Sequence, residues 1–106
     1  MVIVSWQRDI ALNMENAKTI EISERKIYDD THYIIYSVIA TMEDDTKVLL
    51  GNYKDKERAK EIITNIVSLH STFEVYKHAS YEVQTQIAIQ LYNQGIALDV
   101  YEIPLT

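Results

Sequence analysis

The chain has 106 residues, 47% of them apolar and 25% charged, which suits one globular domain and argues against disorder. It has no cysteine, so disulfides, thiol nucleophiles and zinc–thiolate sites are excluded. Ten Lys and Arg against sixteen Asp and Glu give a net charge of −6, the wrong sign for wrapping duplex nucleic acid. Two glycines and one proline leave no room for a Gly-rich phosphate loop. The first residues are apolar but too few for a signal-peptide core, and no run approaches the roughly 20 apolar residues of a membrane span. The expected location is therefore cytoplasmic, with no membrane partner and no cofactor.

The first half reads as β-structure. Val2, Val4 and Trp6 alternate with Ile3 and Ser5, and Asp9–Met14 continues with Ile10 and Leu12 on one side. Residues 17–22 alternate cleanly, with Ile20 and Ile22 opposite Thr19 and Glu21. Residues 23–31 are polar and suit a hairpin loop, with a turn at Asp29-Asp30. Residues 32–42 form the strongest strand. Ile34, Tyr36, Val38 and Ala40 share one face and Tyr33, Ile35, Ser37 and Ile39 the other, so this strand is expected at the centre of a sheet or covered on both sides. Glu43–Thr46 is a turn, and residues 47–53 return as a partner strand in which Gly51 marks a bulge or a close backbone approach.

The second half reads as helical. Asp55 is a good N-cap, and Glu57 sits in the first turn, where the helix dipole favours it. Ile62, Ile66, Leu69, Phe73 and Tyr76 recur at spacings of four and three, and Val83 and Ile87 resume the pattern. This describes either one long helix or two, about 55–71 and 80–94, with Ser80 capping the second. Two helices, or one sharply bent, fit better. Residues 83–91 also alternate like a strand, but Gly95 after Asn93-Gln94 suits a helix C-terminus. Residues 97–103 alternate again as a last strand, ended by Pro104.

The stretches Ile3-Val4-Ser5, Leu12-Asn13, Ile20-Glu21-Ile22, the run from Leu50 to Ala59, and Val100 to Pro104 resemble small, mostly uncharacterised proteins of Firmicutes phages and prophages. The resemblance covers about residues 1–67 and the last few, while His70–Gly95 looks like an addition. It implies a small α+β protein from a mobile element and transfers no catalytic residue.

No enzymatic constellation emerges from the candidate residues. His70 and His78 lie eight apart without the acidic spacing of a metal-binding helix, so no metal site is expected. Asp29-Asp30 and Glu43-Asp44-Asp45 fall in turns, where exposure withholds the raised pKa that acid–base catalysis needs. Tyrosine is abundant at eight residues, and Phe73, Tyr76, Tyr81, Tyr92 and Asn93 gather in the helical half, a set able to stack on a base. Arg58 in the first helical turn could meet an anion there or pair with Glu57 or Glu61. The net charge divides evenly, −3 for residues 1–54 and −3 for 55–106, so what is localised is the absence of charge from Val83 to Leu98. A monomer's surface helix normally carries charge on its outer face, so a homo-oligomer contact through Val83, Ile87, Gln90 and Leu91 is expected.

The reading is therefore one α+β domain: an N-terminal antiparallel sheet of four to five strands (1–54), a helical part of one long or two consecutive helices (55–95), and a short last strand and tail (96–106). The expected function is that of a non-enzymatic phage or prophage accessory protein in the bacterial host cell. Two anti-defence mechanisms fit: sequestration of a small nucleotide signal at an oligomer interface by Arg58, Phe73, Tyr76, Tyr81, Tyr92 and Asn93, or occlusion of a host nuclease's basic surface by an acidic one. A structural or regulatory phage role is the third possibility.

Overall fold

The long β-branched run at the middle of the chain organises the fold. In the computed structural model, which describes residues 1–29, 32–97 and 99–106, it is the central strand of a three-stranded antiparallel sheet. That sheet comprises β3 (Ala17–Ile27), β4 (Tyr33–Met42) and β5 (Lys47–Tyr53). Ile20 faces Ala40 and Ile22 faces Val38, which places the alternating apolar residues of both strands on one surface. Val38 and Ala40 are fully buried there.

A second, smaller sheet has the order β2 (Ala11–Asn13), β1 (Val2–Val4), β6 (Val100–Glu102). The five strands before the helices are thus divided between two sheets, and their mutual pairings are antiparallel, whereas β6 joins β1 in parallel. The last strand is shorter than 97–103, and Leu98 lies outside the described residues.

The polar segment 23–27, expected as loop, is strand. Ser23, Glu24, Arg25 and Lys26 pair with Ser37, Tyr36, Ile35 and Ile34. The reason is the length of β4: a partner strand is already laid out, and its backbone groups are satisfied by continuing the ladder. The side chains of residues 23–26 stay exposed, and charge on an edge strand also discourages pairing with a foreign strand. The last pair of the β3–β4 ladder is Ile27 with Tyr33. Of the turn expected at Asp29-Asp30, Asp30 lies outside the described residues, as does Thr31.

Gly51 marks a bulge. The register between β4 and β5 shifts after Val38–Gly51, so that Ile39 faces Leu49 and Leu50 is the extra residue. The bulge turns the Leu50 carbonyl outwards to accept the Trp6 amide at 2.8 Å, which joins the two sheets. The β4–β5 turn is also as expected. Asp45 takes a positive φ of 67°, and Asp44 Oδ1 accepts the Thr46 amide at 3.0 Å. The Thr46 hydroxyl and amide together hold the Asp44 carboxyl below its usual range.

Two helices follow. In α1 (Lys56–His78) the Asp55 side chain caps the Glu57 amide, and Ala59, Ile62 and Ile66 are buried against the sheets. Leu69 and Phe73 extend the contact at the periphery of the core. α1 runs seven residues past the expected end at 71, because this apolar seam continues to Phe73 and Tyr76 and nothing before Ala79 breaks it. Ala79 and Ser80 are extended, and Ser80 Oγ accepts the Val83 amide to start α2 (Tyr81–Asn93). Gln84 Nε2 donates to the Tyr76 carbonyl at 2.9 Å and so links the two helices across the bend. Gly95 takes φ 70°; its amide donates to Tyr92 and that of Ile96 to Leu91, the paired bonds of a Schellman ending. Residues 83–91 are therefore helix.

The C-terminal segment closes the core. Ile103 is fully buried and its amide donates to the Val4 carbonyl at 2.9 Å. Arg8 Nη1 donates to the Ile103 carbonyl, also at 2.9 Å. The Tyr53 hydroxyl donates to the Pro104 carbonyl. Burial, reinforced by nearby Tyr101, pushes the Tyr53 phenol from the ordinary 10 up to about 12. This phenol is neutral when protonated. The stability linked to its buried neutral form is full below pH 10 and is lost as pH rises from 10 to 12, about 2–3 kcal/mol in total. An absorbance titration at 295 nm should show a late ionisation step near pH 12, and Tyr53→Phe should remove it.

Candidate functional site

α2 is built unlike the rest of the chain. None of its residues is buried, and only Gln84, Ile87 and Leu91 are half-buried, at spacings of three and four that turn them towards α1. Its sole ionisable charge is Glu82 in the first turn. Tyr81 and Tyr92 are 83% and 84% exposed, Ile89 is 54% and Val83 is 41%. A 13-residue helix with no buried residue and a single charge is uncommon, since the outer face of a helix normally carries several ionised side chains.

Tyr76 from the end of α1 and Tyr81, Thr85, Ala88, Ile89 and Tyr92 from α2 line a shallow groove of about 400 Å³. A larger one, about 620 Å³, lies between the middle of α1 (Ser68, Leu69, Thr72), the end of α2 (Leu91) and β6 (Val100, Tyr101). Among the described residues, Glu102 is the one charged side chain lining the larger groove, and none lines the smaller.

Of the candidate ligand residues, the structure brings Tyr76, Tyr81 and Tyr92 together and separates the others from them. Phe73 packs at the edge of the core with Lys77 Nζ 5.3 Å from its ring. Asn93 is exposed and lines neither groove. Arg58 sits near the other end of α1, fifteen residues before Phe73, or about 22 Å along the axis. Its Nη1 donates to Glu61 at 2.9 Å, and its Nε and Nη2 donate to the Thr106 carbonyl at 3.2 and 3.1 Å. Of the candidate interface residues, Val83 and Gln90 are exposed, whereas Ile87 and Leu91 stand on the side towards α1. Sequence reasoning passed over Thr85, Ala88 and Ile89. Their signal was present in the spacing of four, three and four from Tyr81 through Thr85 and Ala88 to Tyr92, which is one helical stripe.

Elsewhere the polar chemistry is structural. Ser5 is buried; its hydroxyl donates to Asp9 at 2.7 Å and accepts the Ile10 amide at 3.2 Å. Lys77 bridges Glu15 at 2.8 Å and Glu74 at 3.4 Å, and its bond lowers the Glu15 pKa. His70 Nε2 lies 3.9 Å from Glu74, and its Nδ1 is buried without a hydrogen-bond partner. Among the described residues, no three His, Asp or Glu side chains gather as metal ligands, and no helix is long and apolar enough to cross a membrane. The chain matches no family model, no curated protein and no solved structure.

Proposed function

We propose that the protein is a non-enzymatic binding protein that self-associates through its C-terminal helices and uses the tyrosine groove beside α2 to hold a small, flat ligand, a nucleotide in the first instance. One observation carries this reading: α2 exposes Tyr81, Ile89 and Tyr92 to solvent while carrying no charge after Glu82. Exposed tyrosines at an uncharged surface are the residues that both interfaces and base-stacking sites favour. Since no cation lines the groove, binding would come from stacking and amide hydrogen bonds rather than from pairing with phosphate. In the setting of a phage or prophage, such a protein would act as a sink for a nucleotide signal of host defence.

A second reading is favoured by the exposed acids of the β-rich half. Glu21, Glu43, Asp44 and Asp45 all face solvent, and Asp44 is held ionised to lower pH than usual. Such a surface suits occlusion of a basic protein partner, with the long-range attraction and salt sensitivity that charge brings.

Two measurements decide between them. Light scattering on the eluting protein should give more than one copy per particle at tens of micromolar, and a monomer throughout would refute self-association. A thermal-shift panel of cyclic and linear nucleotides should raise the melting temperature for a stacking ligand, and the Tyr81→Ala variant should abolish that rise. A flat panel, combined with salt-sensitive binding to a basic nuclease, would transfer the case to occlusion.

A further inference from the structure

We infer that the occupant of the exposed α2 face is the same face of a second copy, running antiparallel about a two-fold axis. The inference rests on the self-association proposed above and specifies its contact.

The stripe Tyr81, Thr85, Ala88, Tyr92 is symmetric in size about its midpoint: large, small, small, large. In an antiparallel pair centred between Gln86 and Ile87, Tyr81 meets the partner's Tyr92, and Thr85 meets the partner's Ala88. The small pair lets the helices approach at the crossing, and the two aromatic pairs close the ends. The partner's Tyr92 then caps the groove that Tyr76 and Tyr81 begin, so the groove is completed only in the pair.

Charge permits a second copy to meet this face. Every copy carries −6, so most approaches between copies are repulsive, and α2 beyond Glu82 is a surface where two acidic chains can meet without facing charges. Size sets the strength. Two tyrosines more than four-fifths exposed, with Ile89 beside them, supply on the order of 500 Å² per copy, below the roughly 800 Å² of a standard stable interface. The dimer is therefore weak, with a Kd in the micromolar range, and its interface is assembled from the tyrosines rather than from Ile87 and Leu91.

The absence of native cysteine makes the test clean. Tyr81→Cys and Tyr92→Cys variants are made singly, mixed and oxidised. In the antiparallel pair two copies of position 81 stand about 16 Å apart, beyond the roughly 7 Å reach of a disulfide, whereas 81 and the partner's 92 are opposite. The mixture should form the 81–92 disulfide, and each variant alone should not. Should Tyr81→Cys cross-link with itself as readily as in the mixture, the antiparallel pairing is overturned although self-association stands. A native chain that is monomeric at 200 µM would overturn both. Ala88→Glu supplies an independent check at an exposed position, where circular dichroism should be unchanged. It sets two carboxylates beside the crossing and should weaken dimerisation at least tenfold; an unchanged Kd would overturn the contact.

Discussion

An Ile103→Ala variant should lose about 2–5 kcal/mol of stability, the usual cost of emptying a fully buried isoleucine site. Ile103 stands one residue beyond β6, at the end of the stretch that the sequence presents as a last strand, and its side chain is wholly enclosed. The surroundings have little freedom to collapse into the vacated volume. Its amide is held by Val4, its carbonyl by Arg8, and the next carbonyl by Tyr53. Urea titration followed by circular dichroism would measure the loss. Because β6 is anchored through this residue, the variant should also release the β1–β6 pairing, visible as faster exchange of the Val2 amide, which donates to the Asp99 carbonyl. A change below 1 kcal/mol would mean that the C-terminal segment is not part of the core.

Gly51→Ala should cost about 1–3 kcal/mol, the range for forcing an added methyl group into occupied space. A Cβ at this position would stand 2.6 Å from the Tyr53 hydroxyl and 2.9 Å from its Cε2. The backbone at Gly51 needs no positive φ, so the requirement is for space and not for conformation. The Tyr53 ring cannot turn aside cheaply, since its hydroxyl is bonded to the Pro104 carbonyl. Combining Gly51→Ala with Tyr53→Phe removes the nearest clashing atom, so the double variant should be more stable than the sum of the two single losses predicts. Additive losses would show that the two side chains do not compete for this space.

The class of fold was legible because it depends on local pattern. Alternation along residues 17–22 and 32–42, the acidic turn after Met42, the Asp55 and Ser80 caps and the four-three spacing from Ile62 to Tyr76 each report periodicity or hydrogen-bonding chemistry within a few residues. Gly51 was legible as a bulge for the same reason, since only a missing side chain interrupts an otherwise regular strand. The candidate site was legible in part. The uncharged stretch and its tyrosines pointed to α2, but choosing which side of that helix is open required knowing where α1 lies.

The sequence by itself determined the succession of a β-rich first half and a helical second half, the caps at Asp55 and Ser80, the exclusion of cysteine chemistry, and the concentration of uncharged residues after Glu82. Tertiary structure alone decided that 23–27 pairs as strand, that β6 returns to lie parallel beside β1, and that Ile103 completes the core. It also decided that Arg58 reaches the Thr106 carbonyl, well away from the tyrosines, in addition to the Glu61 pairing that helical spacing already offered. These are matters of partners distant in the chain. A backbone segment takes up a ladder when a neighbour offers one, and a side chain is committed to whichever oppositely charged or apolar group the fold carries to it.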